Sequence, residues 1–403
     1  MKTIFILGGL VVSLFFGTNA GAASLQDLRK ASPEAQALFQ ECIQPSKPEG
    51  IKIFYKAVTG DCAELALFVD SGTTLTLVNW DSKSEIDLEP LKYFHKLETL
   101  QISTLWAKTS HFEVIKTMPR LRSLKVSCVL PDFKTEMLLN PSIEELDLYI
   151  LLGTGVKFPN LELEKLSSLN LKSLKTWLPL AIPQVMAHFT NLRTLELMNP
   201  DFEDSSFLSK LTQLENLELN GGPIHDYRFV ESMPHLKKIW IWRTKIDSLE
   251  PFGKLSELLD LHFAQNSFPK GDFSSLSSLS QLKSFGCNEC RLFDKDAEFL
   301  SGLKNLEYLS LDRNLLTNLG AIPSMEKMTY LTVGDNTQLK LDGIEKLKKL
   351  TLLTIYRTNA SDNDIDKLVG LPLTRLNVGR YQFSEAALSK LKTKNPKLQI
   401  STF

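Results

Sequence analysis

Cys287 and Cys290 form a C-x-x-C pair, the spacing found in thiol–disulfide and zinc sites. A zinc site needs four ligands, and no second C-x-x-C and no histidine pair at ligand spacing accompanies it. The six histidines, His95, His111, His188, His225, His235 and His262, stand at unrelated spacings. H-E-x-x-H, G-x-S-x-G, the phosphate-binding loop and the EF-hand loop do not occur. What remains is Glu196 and Glu218 upstream of Trp240 and Trp242, and carboxylates beside aromatic rings can hold a cation or a sugar. These residues point to a surface that binds rather than one that catalyses, so neither an enzyme nor a cofactor is expected.

The elements that position them follow from a repeat. Leu-x-x-Leu-x-Leu or a close variant starts at Leu97, Leu121, Ile143, Leu166, Leu192, Leu214, Leu236, Leu258, Leu282, Leu306, Met328, Leu350 and Leu373, at intervals of 22 to 26 residues. Degenerate copies start at Gly72 and Leu398, which brings the expected total to about fifteen coils. A unit this short cannot bury its own leucines, so each coil contributes one strand to a parallel sheet and stacks on its neighbours. With the first Leu as position 1, positions 4 and 6 point inward and positions 3, 5 and 7 outward.

The pattern resembles bacterial leucine-rich repeats of the internalin type, with residues 306–327 and 236–257 the best copies. Ser361–Leu371 and Phe383–Leu391 read as short amphipathic helices, more like the ribonuclease-inhibitor style of coil. The resemblance implies an α/β solenoid, a leucine-rich-repeat horseshoe with a parallel concave sheet, serving as a recognition module for a protein partner. It also implies an inward Asn at position 9, met here by Asn266, Asn314 and Asn336, with Cys290 as an allowed substitute. Cys290 and Cys287 are therefore read as packing residues.

The outward positions are mostly small or polar, which makes Ile239-Trp240-Ile241-Trp242-Arg243 conspicuous. Strict alternation buries the isoleucines and turns both indoles onto the exposed face. Trp, Tyr and Arg dominate protein interfaces, so the expected partner-binding set is Trp240, Trp242, Arg243, Glu196, Glu218, Asp260, His262, Tyr308, Asp312, Tyr330 and Tyr356. A glycan- or cell-wall-binding module is the alternative use of the same rings and carboxylates, and an envelope protein without a specific site is the third reading.

Lys2, the apolar run Ile4–Phe16 and the small residues Ala20 and Ala22 read as a signal peptide over 1–22. The expected organisation is that signal, an N-terminal cap over 23–71 and repeats over 72–403, with the mature protein secreted or periplasmic. No integral membrane segment is expected after cleavage. A formal net charge of -1 among 403 residues provides no field for nucleic acid. In an oxidising compartment Cys42 and Cys62, both ahead of the repeats, are expected to pair.

Overall fold

The computed structural model describes residues 27, 29–43, 62–79, 88–106, 109–130, 132–151, 161–180 and 182–403. The expected signal peptide, residues 1–22, and residues 44–61 of the expected cap lie outside them. Two compact units divide the chain, residues 1–197 and 198–403.

The first unit opens with helices α1 (Pro33–Ile43) and α2 (Cys62–Ser71). Ser32 and Pro33 begin α1 as a cap and a first-turn proline should: the Ser32 hydroxyl accepts from the Ala35 amide at 3.1 Å. Ala35, Leu38, Leu65, Ala66 and Val69 are fully buried between and beneath the two helices. A disulfide joins Cys42 to Cys62, and the Ser32 amide donates to Asp70 at 2.8 Å. Tyr93 donates to Glu41 at 2.7 Å, which fastens α1 to the coil that follows.

Strands then follow in chain order, fifteen among the described residues. The first unit carries β1 (Thr74–Asn79), β2 (Thr99–Trp106), β3 (Ser123–Val129), β4 (Glu145–Leu151), β5 (Ser173–Thr176) and β6 (Thr194–Met198), which ends at the boundary. The second carries β7 (Asn216–Asn220), β8 (Lys238–Trp242), β9 (Asp260–Ala264), β10 (Ser284–Asn288) and β11 (Tyr308–Ser310). It continues with β12 (Tyr330–Thr332), β13 (Leu352–Thr354), β14 (Arg375–Val378) and β15 (Gln399–Thr402). Neighbours within each unit pair in parallel, with Leu217 beside Ile239 beside Leu261, so position 4 stacks on position 4. Short 3₁₀ turns such as Ser206–Lys210, Arg228–Ser232 and Ser274–Ser278 return the chain to the next strand. In the last coils the return is helical, Ile365–Val369 after a 3₁₀ turn and Glu385–Lys394, close to the two amphipathic stretches read from sequence.

Each coil hides one layer of apolar side chains. In residues 236–257 the layer is Leu236, Ile239, Ile241, Ile246, Leu249 and Leu255, all buried. The burial contributes about 1.5–3 kcal/mol per side chain, and it exists only because the coils on either side cover it.

Register corrects the sequence reading in two coils. Leu146 pairs with Leu174, so the coil expected to start at Leu166 starts at Leu171, and Lys175 and Trp177 take the outward places assigned to Asn170 and Lys172. Leu166, Leu169, Leu171 and Leu174 satisfy the same spacing in two frames, and the sheet selects the later one. At the end Leu376 pairs with Ile400, not Ser401, because Ile400 is the apolar residue that continues the layer.

Cys128 is buried and unpaired among the described residues, and burial pushes its thiol up to about 12, leaving it protonated and inert at neutral pH. Cys287 and Cys290 are buried as read from sequence, but they are joined by a disulfide rather than packed as separate thiols. Glu289 and Arg291, both in the left-handed region, fold the chain around Cys290 and bring the two Cα atoms to 5.6 Å.

A histidine staples three coils of the second unit. His225 Nδ1 lies 2.6 Å from Asp247 and Nε2 lies 3.0 Å from Glu203. The hydrogen bonds to Glu203 and then Asp247 raise its pKa above the usual 6.5. A raised folded-state pKa gives stability that is complete below about pH 6.5 and is lost as pH rises through the folded value. The midpoint of urea unfolding is therefore expected to fall modestly between about pH 6 and pH 9, and His225→Gln should flatten that fall. An unchanged slope in the variant would remove the staple from the account.

Candidate functional site

Outward residues of β8 to β13 in the second unit build one continuous surface. Lys238, Trp240 and Trp242 stand on β8, and register sets Trp240 beside His262 and Trp242 beside Ala264. The two indoles stack at 6.0 Å with their planes 25° apart, and Trp240 meets the His262 ring at 5.3 Å. Both indoles are half-buried, because each ring lies against its neighbour and Lys238 Nζ sits 3.8 Å over Trp240.

His262 then reaches Tyr308 at 5.7 Å across the whole of β10. Strands are about 4.8 Å apart, so this contact needs the intervening side chains to be small. They are Ser284 and Gly286: a Cβ on Gly286 would lie 2.3 Å from His262 Nδ1. Tyr308 stacks on Tyr330 at 4.4 Å. Trp242, Trp240, His262, Tyr308 and Tyr330 thus form an unbroken aromatic track across five strands. Further along, Tyr356 covers Gly334, where a Cβ would come within 2.8 Å of its ring, and meets Phe403 at 6.0 Å.

Polar atoms beneath the track are engaged. Asp260 Oδ1 accepts from Trp240 Nε1 at 3.4 Å and lies 2.9 Å from His262 Nε2. Burial works against the Asp260 charge, yet the hydrogen bond from His262 and the one from Trp240 hold its carboxyl below the usual value. The same Nε2 lies 2.7 Å from Ser284 Oγ. A Ser-His-Asp relay requires the acid on one ring nitrogen and the serine on the other. Here both meet one nitrogen, so the trio positions a ring and does not activate a nucleophile. Asp312 accepts from the Gly334 amide at 2.6 Å and from Thr332, while burial raises its carboxyl, and it braces the strand ends.

Glu196 and Glu218 fall in different units. Glu218 pairs in register with Trp240 on β7. Glu196 belongs to the first unit, where Tyr149 donates to it at 3.2 Å and Lys175 lies at 3.3 Å. Trp177 meets Tyr149 edge-on at 5.3 Å and is 38% exposed, an outward aromatic residue that the misplaced coil start concealed.

No protein-family model matches the sequence and no curated protein matches it. Among solved structures, a leucine-rich-repeat protein of Leptospira interrogans matches with TM-score 0.56 and 18% identity, over 83% of this chain and 94% of that one. The functional domain of InlJ from Listeria monocytogenes matches with TM-score 0.50 and 16% identity, over 82% of this chain and 75% of that one. The fold is that of a leucine-rich-repeat protein.

Two further ladders complete the leucine-rich-repeat coil. At position 9, Asn266, Asn314 and Asn336 are buried and bond backbone groups of the preceding coil, and Asn314 and Asn336 also those of their own, as in Asn336 Nδ2 to Leu311 O at 2.9 Å and to Val333 O at 2.8 Å. At position 8, Arg243, Gln265, Glu289, Arg313, Asp335 and Arg357 all have positive φ. Their side chains join in sequence: Arg243 to Gln265 at 2.7 Å, Gln265 to Glu289 at 2.8 Å, Glu289 to Arg313, Arg313 to Asp335 at 3.2 Å, and Asp335 to Arg357 at 3.3 Å. Of these, only Arg243 belongs to the partner-binding set expected from sequence. The alternation of sign from Glu289 to Arg357, at intervals of one coil, was the available signal.

Proposed function

We propose that this chain is a non-enzymatic recognition module that docks a protein partner on the open face of β8–β12. The observation that carries the reading is the aromatic track from Trp242 to Tyr330, whose rings hold one another in fixed orientation. Pre-ordered aromatic side chains lose little entropy on binding, which is why they anchor protein interfaces. Arg243, directly after Trp242, supplies a polar rim. The glycan reading has less support: Tyr308 and Tyr330 each turn one face to the other and Lys238 sits over Trp240, which leaves less ring face for a sugar to stack on.

We place its action outside the cytoplasm, secreted or periplasmic. The signal-like residues 1–22 and the Cys42–Cys62 and Cys287–Cys290 disulfides support that compartment, since such bonds persist where the medium is oxidising. No helix among the described residues is long and apolar enough to cross a membrane.

The test compares the mature protein with its Trp240→Ala/Trp242→Ala variant, both checked by circular dichroism, against envelope and host-cell extracts. A protein held by the wild type should bind the variant at least 100-fold more weakly, about 2.7 kcal/mol. Equal retention by both would move the site off the track, and retention of glycan alone would favour the second reading.

A further inference from the structure

Beside the carboxyl ends of β8–β11 the following turns line an open cleft of about 1030 Å³. Five cations and two carboxylates line it, a positive excess in a chain whose formal net charge is -1. Both carboxylates are engaged. Glu289 accepts from Gln265 and pairs with Arg313, and Asp296 accepts from the Phe293 amide at 2.8 Å. Arg243, Lys270, Arg291 and Lys295 have no carboxylate within ion-pair distance among the described residues. Phe268 and Phe293 add apolar surface, and Phe293 is 51% exposed.

The turn that presents Arg291 is held rigid. The amides of Cys290 and Leu292, on either side of it, donate to Asn314 Oδ1 at 3.0 and 3.1 Å, and Cys290 is tied to Cys287. A charged group on an ordered turn meets its ligand without first being immobilised.

From these observations we infer that the cleft binds an acidic peptide segment of a partner protein, with carboxylates on Arg291 and Lys295 and an apolar side chain against Phe293. Arg243 borders both surfaces, but none of the rings of the aromatic track lines the cleft. A nucleic acid fits it less well, because a duplex presents an unbroken row of like charge, about one per 1.7 Å of its axis, and the ladder leading out of the cleft alternates in sign, with Asp335 beyond Arg313.

The probe is a fluorescent peptide of Glu and Asp around one Phe, with its Gln/Asn counterpart as the neutral control, titrated into the full chain. The acidic peptide should bind with an affinity that falls as salt rises, and the neutral one should not bind. Arg291→Glu/Lys295→Glu should weaken binding at least tenfold, about 1.4 kcal/mol. Both residues are exposed, and Arg291→Gln/Lys295→Gln serves if the reversed variant loses its circular dichroism. The Trp240→Ala/Trp242→Ala variant should bind the acidic peptide unchanged, which separates this site from the proposed track. The inference is overturned by equal binding of both peptides, by full affinity in the reversed variant, by tighter binding of an oligonucleotide of equal charge, or by no binding up to about 1 mM.

Discussion

Leu217→Asp is expected to destabilise residues 198–403 by more than about 5 kcal/mol, enough to unfold the coils around β7 at room temperature. Leu217 is 1% exposed, and its layer continues through Ile239 and Leu261 on the next two strands. The substitution removes about 1.5–3 kcal/mol of apolar burial and places a carboxylate where none of these neighbours can pair with it. Because a stacked coil takes its stability from the coils beside it, the loss spreads along the stack instead of staying local. Circular dichroism should show lost structure, and limited proteolysis should cut within 198–403. Leu217→Met, which keeps volume and apolarity, should cost less than about 1.5 kcal/mol. A Leu217→Asp protein as protease-resistant as the wild type would mean that position 4 does not face inward.

That position could be assigned from sequence because the layer is made of residues with only one comfortable environment. Leu214, Leu217 and Leu219 recur with the next two coils at a spacing of 22, and nothing between them competes for the inward places. Where several frames satisfy the same rule, the rule fails: four leucines between Leu166 and Leu174 fit two registers, and only hydrogen bonding to β4 chooses between them. The error had a functional consequence, since it hid Trp177. The aromatic track was legible as separate outward rings, but its continuity depends on Gly286 and Ser284 leaving room for His262 to meet Tyr308. A missing side chain is a weak sequence signal, and its meaning emerges only when the neighbour that fills the space is known. The position 8 ladder was hidden for a different reason. Its left-handed backbone is occupied by Arg, Gln, Glu and Asp instead of glycine, so the usual marker of positive φ is absent. The turn geometry is imposed by the repeat, with amides of this row donating to carbonyls of the next coil, as from Arg243 to Ala264 at 3.0 Å and from Arg313 to Gly334 at 2.8 Å.

Asn314→Ala is expected to cost about 3–5 kcal/mol, although it removes neither a charge nor a large apolar surface. The side chain is 5% exposed. Its oxygen accepts from the amides of Cys290 and Leu292, and its nitrogen donates to the carbonyls of Cys287 at 2.7 Å and Leu311 at 3.0 Å. Truncation strands two donors and weakens two acceptors inside a coil, and each buried group left without a partner costs about 1–3 kcal/mol. Asn314→Asp separates the two halves of this network. A carboxylate can still accept both amides, but it faces the Cys287 and Leu311 carbonyls with no proton to donate, so it should recover only part of the loss. Hydrogen exchange gives the decisive readout, because the Cys290 and Leu292 amides should lose protection in the Ala variant and keep it in the Asp variant. Unchanged protection in both would show that the turn is held by the Cys287–Cys290 disulfide alone. Loss in Ala with retention in Asp would identify Asn314 as the residue that fixes Arg291 at the rim of the basic cleft, so that an inward position of the repeat also sets the geometry of a surface turn.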